Sequence, residues 1–260
     1  MNAPLILLND DHLRAQVKRM GTMLGQVLIE FAGAEVFEAV ELLRRGFSDL
    51  RQQEDQTRRT ELMEFIDRMP ADQVELVVRA FSTYFKLVNV AEESWAHRNR
   101  RRLLAHGMQL WEGSFDRTLR DFAAQGLPVA ALQDMADRLH FSPVFTAHPT
   151  EARRRAVMEG LRRVFLICDA LYSPDLGANE LQELETRLSA EILVIWRTDE
   201  LRSAKLEVKD EVRNGLYYVR QSLFEAVPKA YRFFDKAIRR HYGASADGTS
   251  VVSVPSFIRV

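Results

Sequence analysis

Apolar residues recur along most of the chain at three- and four-residue steps. Leu13, Val17, Met20, Leu24, Val27 and Phe31 form one such stripe, and Val36, Val40, Leu43, Phe47 and Leu50 form a second. This spacing places each set on one face of an α-helix. Asp10 and Asp11 precede the first stripe as natural caps, and Gly33 separates the two. A third helix is predicted through Leu62, Phe65 and Met69, with a stop at Pro70. A longer one follows and runs to about Leu104, with Val74, Val77, Val78, Phe81, Phe85, Val88 and Ala91 as its buried face. Ser114 is placed to cap a short helix that ends near Gly126. Pro128 is placed to open another through Leu132, Met135 and Leu139.

The pattern changes once. Ser142, Pro143, Val144, Phe145, Thr146 and Ala147 make a short, apolar, β-prone run that reads as one buried strand. Helix returns over residues 151–171, then from Asn179 past Trp196 to about Ser203. A third stretch runs from Val208 to His241, with a kink expected near Pro228. A loop over residues 243–250 feeds a second strand-like run, 251–260. Strand N–H and C=O groups need partners. These two runs must therefore pair with each other or with strands outside the sequence. The class is mainly α.

Composition narrows the picture. The chain has 260 residues, 47% hydrophobic and 28% charged, with a formal net charge of -1. A balance so near neutral gives no global field for nucleic acid or an anionic membrane. No apolar run approaches the roughly 20 residues that span a bilayer. The first residues lack the basic start of a signal peptide. Cys168, the one cysteine, cannot form an internal disulfide and lies in an apolar run, which reads as a small buried residue in a reducing, cytoplasmic setting. Arg98, Arg100, Arg101 and Arg102 are the densest basic cluster. Without interleaved aromatics they read as a solvated helix face or a subunit contact. No Cys or His cluster has zinc spacing, and no Gly-x4-Gly-Lys-Ser/Thr loop occurs.

The segment that bears chemistry is Val144-Phe145-Thr146-Ala147-His148-Pro149-Thr150-Glu151-Ala152. It reads as a strand that turns at a His-Pro pair into a helix. Ligands bind at the carboxyl ends of such strands, and the following helix aims its N-terminal N–H groups at the same place. Arg153, Arg154 and Arg155 open that helix, and Arg162 and Arg163 lie further along it. Together they predict a base, His148, beside an anion pocket, with the imidazole held neutral and able to accept a proton. The alternative is a structural histidine bonded to a backbone carbonyl. His12, His97, His106, His140 and His241 lack this context and read as structural.

Phe145-Thr146-Ala147-His148-Pro149-Thr150-Glu151 resembles the first signature of the phosphoenolpyruvate carboxylase family. The stretch from Arg79 through Glu93 is similar to the family's long N-terminal helix. Trp196-Arg197-Thr198-Asp199-Glu200-Leu201-Arg202 is similar to its Trp-x-Thr-Asp-Glu-x-Arg segment. Val254-Pro255-Ser256-Phe257-Ile258-Arg259 resembles the lead-in to its second signature. The order and spacing of all four fit.

The resemblance implies a helix-rich (β/α)8 barrel, incomplete in this chain. Residues 1–140 would be an N-terminal helical region, and residues 141–260 would begin the barrel. It implies a lyase that converts phosphoenolpyruvate and bicarbonate to oxaloacetate and phosphate, an anaplerotic carbon-fixing step, in a cytoplasmic homotetramer. His148 would be the catalytic base. Arg153, Arg154, Trp196 and Arg202 are the weaker candidates for substrate binding, with packing the competing role for Trp196 and an Asp199–Arg202 helix-surface pair also expected. The Mg2+ or Mn2+ ligands would lie in a C-terminal part that this sequence does not include. The 260 residues alone are then expected to be inactive and to expose strand edges. The rival reading is a non-catalytic helical binding or scaffold module with the same architecture. Neither reading calls for nucleic acid or a membrane.

Overall fold

The computed structural model describes residues 10–107, 110–144, 155–173, 175–199, 208–245 and 248–258. Among these residues the chain is mainly helical and no extended ladder forms. The helices are α1 (Asp10–Phe31), α2 (Ala34–Gln52), α3 (Gln56–Asp67), α4 (Ala71–Ala105), α5 (Phe115–Ala124), α6 (Val129–Arg138), α7 (Arg155–Ala170), α8 (Ala178–Arg197), α9 (Val208–Tyr218) and α10 (Phe224–Tyr242). The chain folds as two compact units, each built from two stretches of sequence. One comprises Met1–Asn99 with Arg153–Arg202, the other Arg100–Ala152 with Ser203–Val260.

In the first unit the periodic apolar residues meet as predicted. Met20, Leu24 and Leu28 of α1, Val36, Val40 and Leu43 of α2, and Leu62 of α3 share one core with Val77 and Leu87 of α4. Val164 and Ile167 of α7 and Leu188, Ile192 and Ile195 of α8 complete it. Local chemistry sets the ends of these helices. Gly33, at φ +94, turns the chain between α1 and α2. The Asp55 side chain accepts from the Arg58 N–H at 3.1 Å and caps α3. The Glu180 carboxylate accepts from the Gly177 N–H at 3.1 Å at the start of α8.

Helix α4 departs from its predicted face. Val78 and Phe85 are 61% and 59% exposed, whereas Thr83, Ser94 and Arg98 are buried with Ala80 and Ala91. Apolar residues occur all around this helix, so hydrophobicity alone does not choose its inner side. The inner side is a mixed one, with Val77, Leu87 and Val90 beside the small residues and the Lys86 and Arg98 side chains. Phe47 is likewise left at the surface, and Gly46 takes the buried place beside Leu62.

In the second unit α5 packs along α10. Their core holds Leu119, Leu132, Ala136, Phe234, Ala237, Ile238, Val252 and Phe257. Ser114 caps α5, its hydroxyl accepting from the Arg117 N–H at 3.3 Å, and Pro128 precedes α6 as expected. The single kinked helix predicted from Val208 to His241 is instead two helices joined by a π-helical turn, Val219–Leu223. Pro228 lies inside α10. It cannot donate to the Phe224 carbonyl, and its ring crowds that group, so the irregular turn falls just upstream.

The two predicted strands meet only once among the described residues. Phe141 and Ile258 form an isolated parallel bridge, in which the Phe141 N–H donates to the Phe257 carbonyl at 2.7 Å. Val144 is 81% exposed, which corrects the expectation of a strand buried at that residue. Among the described residues no sheet forms that could cover Val144.

Candidate functional site

His148, Arg153 and Arg154 lie in residues 145–154, and Arg202 lies in residues 200–207, outside the described residues. The described stretches around these segments belong to different units: the start of α7 and the end of α8 to one, residues 141–144 and the segment 250–258 to the other.

Helices hold that last segment by their side chains. The Gln133 amide of α6 bonds the Ser253 backbone in both directions, accepting from its N–H at 2.8 Å and donating to its carbonyl at 3.0 Å. This reproduces with a side chain the paired bonds of a β-ladder. The Tyr231 hydroxyl oxygen of α10 accepts from the N–H of Phe257 at 2.8 Å and of Ile258 at 2.9 Å. The two rings lie 4.6 Å apart. Burial pushes the Tyr231 phenol up, but hydrogen bonds from Ile258, Ser256 and Phe257 outweigh it and leave the group below its ordinary pKa. The Ser250 hydroxyl bonds the Asp235 carboxylate, which Arg239 also grips. Burial raises Asp235, and these two partners more than reverse that.

At the start of α7, Arg155 is paired with Glu159 at 2.7 Å. Arg163 reaches Glu191 of α8, also at 2.7 Å. Two of the five arginines expected to draw an anion thus already face carboxylates. Trp196 closes α8 and is 4% exposed, with the Arg79 guanidinium of α4 5.9 Å from the centre of its ring. Arg79 also meets Glu75 at 3.1 Å and Asp199 at 3.6 Å. Asp199 thus has an ionic partner on α4, from outside the local helix-surface pair that the sequence suggests.

Sequence reasoning misplaced one residue of the basic cluster. Arg98 is 6% exposed and bonds Gln16, Ser94 and the Cys168 carbonyl. Arg100 stacks on Trp111 at 5.3 Å. A cavity of about 860 Å³ opens between α1, α2 and α4, lined by Val17, Phe37, Phe81 and Tyr84 among others. Among the described residues no group of three His, Cys, Asp or Glu side chains is placed to hold a metal ion. No described helix is long and apolar enough to cross a membrane.

The family model for phosphoenolpyruvate carboxylase matches residues 13–258. The chain belongs to the phosphoenolpyruvate carboxylase family. A phosphoenolpyruvate carboxylase from Roseiflexus castenholzii is 36% identical over 235 residues, covering 89% of this chain and 25% of the relative. One from Nitrosomonas eutropha is 31% identical over 254 residues, covering 97% of this chain and 27% of the relative. One from Aromatoleum aromaticum is 33% identical, covering 96% of this chain and 27% of the relative. The chain thus spans about a quarter of the length of the curated carboxylases it matches.

Proposed function

We propose that this chain contributes the N-terminal part of a phosphoenolpyruvate carboxylase, and that His148 is its general base. The observation that carries the reading is the family match over residues 13–258, with the Phe145–Thr146–Ala147–His148–Pro149 signature inside it. The parallel meeting of Phe141 with Ile258, across a helical connection, supports the assignment of these segments to the first two strands of a β/α barrel. On this reading residues 1–140 are the helical region before the barrel.

In the proposed reaction bicarbonate oxygen attacks the phosphorus of phosphoenolpyruvate. The bond from phosphorus to the enol oxygen breaks, leaving carboxyphosphate and the enolate of pyruvate. His148 takes the proton from the carboxyl group of carboxyphosphate. The remaining C–O bond to phosphate breaks, releasing CO2 and phosphate. The enolate carbon then attacks CO2 to give oxaloacetate. We assign substrate binding to Arg153, Arg154 and Arg202, with Trp196 as a further candidate. Among the described residues no three His, Cys, Asp or Glu side chains are grouped to hold Mg2+ or Mn2+. We place the ligands of that ion in the remaining length of the carboxylase. A cytoplasmic homotetramer is part of the same reading, and the lone, buried Cys168 suits a reducing compartment.

The test is His148→Ala in the complete carboxylase polypeptide. Oxaloacetate formation should fall by about 10²–10⁴, and bicarbonate-dependent phosphate release should fall much less. Equal loss of both would remove the assigned role. No oxaloacetate from the unaltered polypeptide would leave the helical binding module as the better reading.

A further inference from the structure

The segment entering the second predicted strand is fixed by an unusual set of partners. In an extended strand successive N–H groups point to opposite sides. At Phe257 and Ile258 two successive N–H groups instead converge on one oxygen, that of Tyr231. The phenol therefore acts as a clamp on this part of the segment. It fixes two successive amides at one point, and the carbonyl of that same Phe257 accepts from Phe141. Gln133 pins the segment again at Ser253, four residues earlier. Register matters here because a slip of one residue turns every side chain to the opposite face.

We propose that Tyr231 is a positioning residue of the carboxylation site, setting the register in which the segment before Arg259 meets the segment before Phe145. The inference rests on the carboxylase reading. His148 follows Phe141 by seven positions, and the lead-in to the second signature contains Phe257 and Ile258. Tyr231 touches neither substrate nor the reacting groups in this scheme; it acts through two backbone amides.

The decisive variant is Tyr231→Phe in the complete polypeptide, which keeps the ring against Phe257 and removes only the acceptor. Leu119→Ala, in the same core but away from the segment, serves as a control for lost stability. Amide exchange at Phe257 and Ile258 should speed up about tenfold or more in Tyr231→Phe. The ratio of oxaloacetate to phosphate formed should fall several-fold, while KM for phosphoenolpyruvate changes little. Leu119→Ala should lower Tm and leave the ratio intact. An unchanged ratio in Tyr231→Phe, or the same drop in Leu119→Ala, would overturn the proposal, as would unchanged exchange at the two amides. If the unaltered polypeptide makes no oxaloacetate, the carboxylase reading fails by itself, and the exchange rates still decide whether Tyr231 holds the segment.

Discussion

Arg98 Nη2 donates to Gln16 Oε1 across 2.6 Å, joining α4 to α1 over 82 residues of sequence. Nη1 of the same guanidinium donates to the Cys168 carbonyl of α7 at 3.1 Å and to Ser94 one turn back. The plane lies 4.0 Å from the centre of the Tyr172 ring. One fork thus ties three helices together with neutral acceptors that would otherwise be buried without a donor.

Removing that fork should be costly. Arg98→Ala strands the Gln16 and Cys168 oxygens, and losses of this kind are about 2–4 kcal/mol in sum. Arg98→Lys keeps the charge but not the planar fork and should recover only part of the loss. Cys168 supplies the readout. It is fully buried, its Sγ lies 3.9 Å from Met20 Sδ, and burial pushes the thiol pKa up. Thiol labelling across a urea series should show Cys168 reacting at lower urea in Arg98→Ala. Identical labelling profiles would refute the clamp.

Asp235 makes the second unit sensitive to acid. Burial raises this carboxyl, but Ser250 and Arg239 together hold it below its ordinary value of about 3.9. A group whose pKa is depressed on folding contributes stability above the unfolded value and loses it as pH falls through the folded one. The contribution should be full above the ordinary carboxylate range and be lost progressively as pH falls through and below it. The gap in Tm between the native chain and Asp235→Asn should therefore be widest at the higher pH and close on acidification. A gap independent of pH would mean that the Ser250 and Arg239 contacts do not favour the ionised form.

What the sequence discloses follows from how local the physics is. Ser114 at the start of α5, Gly33 between α1 and α2 and Pro128 before α6 act on their immediate neighbours, and all three stand where the pattern puts them. The inner face of α4 depends on partners far along the chain, so Val78 and Phe85 point outward against expectation, and Arg98 is buried. The β-prone composition of 142–147 and 251–260 is plain, but composition does not say what will pair with it. At Ser253, Phe257 and Ile258 helix side chains from Gln133 and Tyr231 take up backbone groups, and nothing local marks either residue for the task. For the site itself, the sequence signature around His148 carried the family reading, while the anchoring of segment 250–258 came only from the structure.

Two glycines in helices offer a sharper contrast, because the same substitution should act in opposite directions. Replacing glycine by alanine inside a helix gains about 0.5–1 kcal/mol when nothing obstructs the new methyl group. At Gly215 of α9, exposed, a Cβ would meet nothing within 4 Å. At Gly46 of α2 it would stand 2.7 Å from Leu62 Cδ1 and 2.8 Å from Cδ2. Leu62 is 1% exposed and its Cγ would also stand 3.3 Å from the new methyl group, so overpacking of about 1–3 kcal/mol outweighs the propensity gain. Gly46→Ala should therefore lower the urea midpoint and Gly215→Ala should raise it or leave it level. If Gly46→Ala proved the more stable of the two, the α2–α3 contact would be looser than the packing around Leu62 describes.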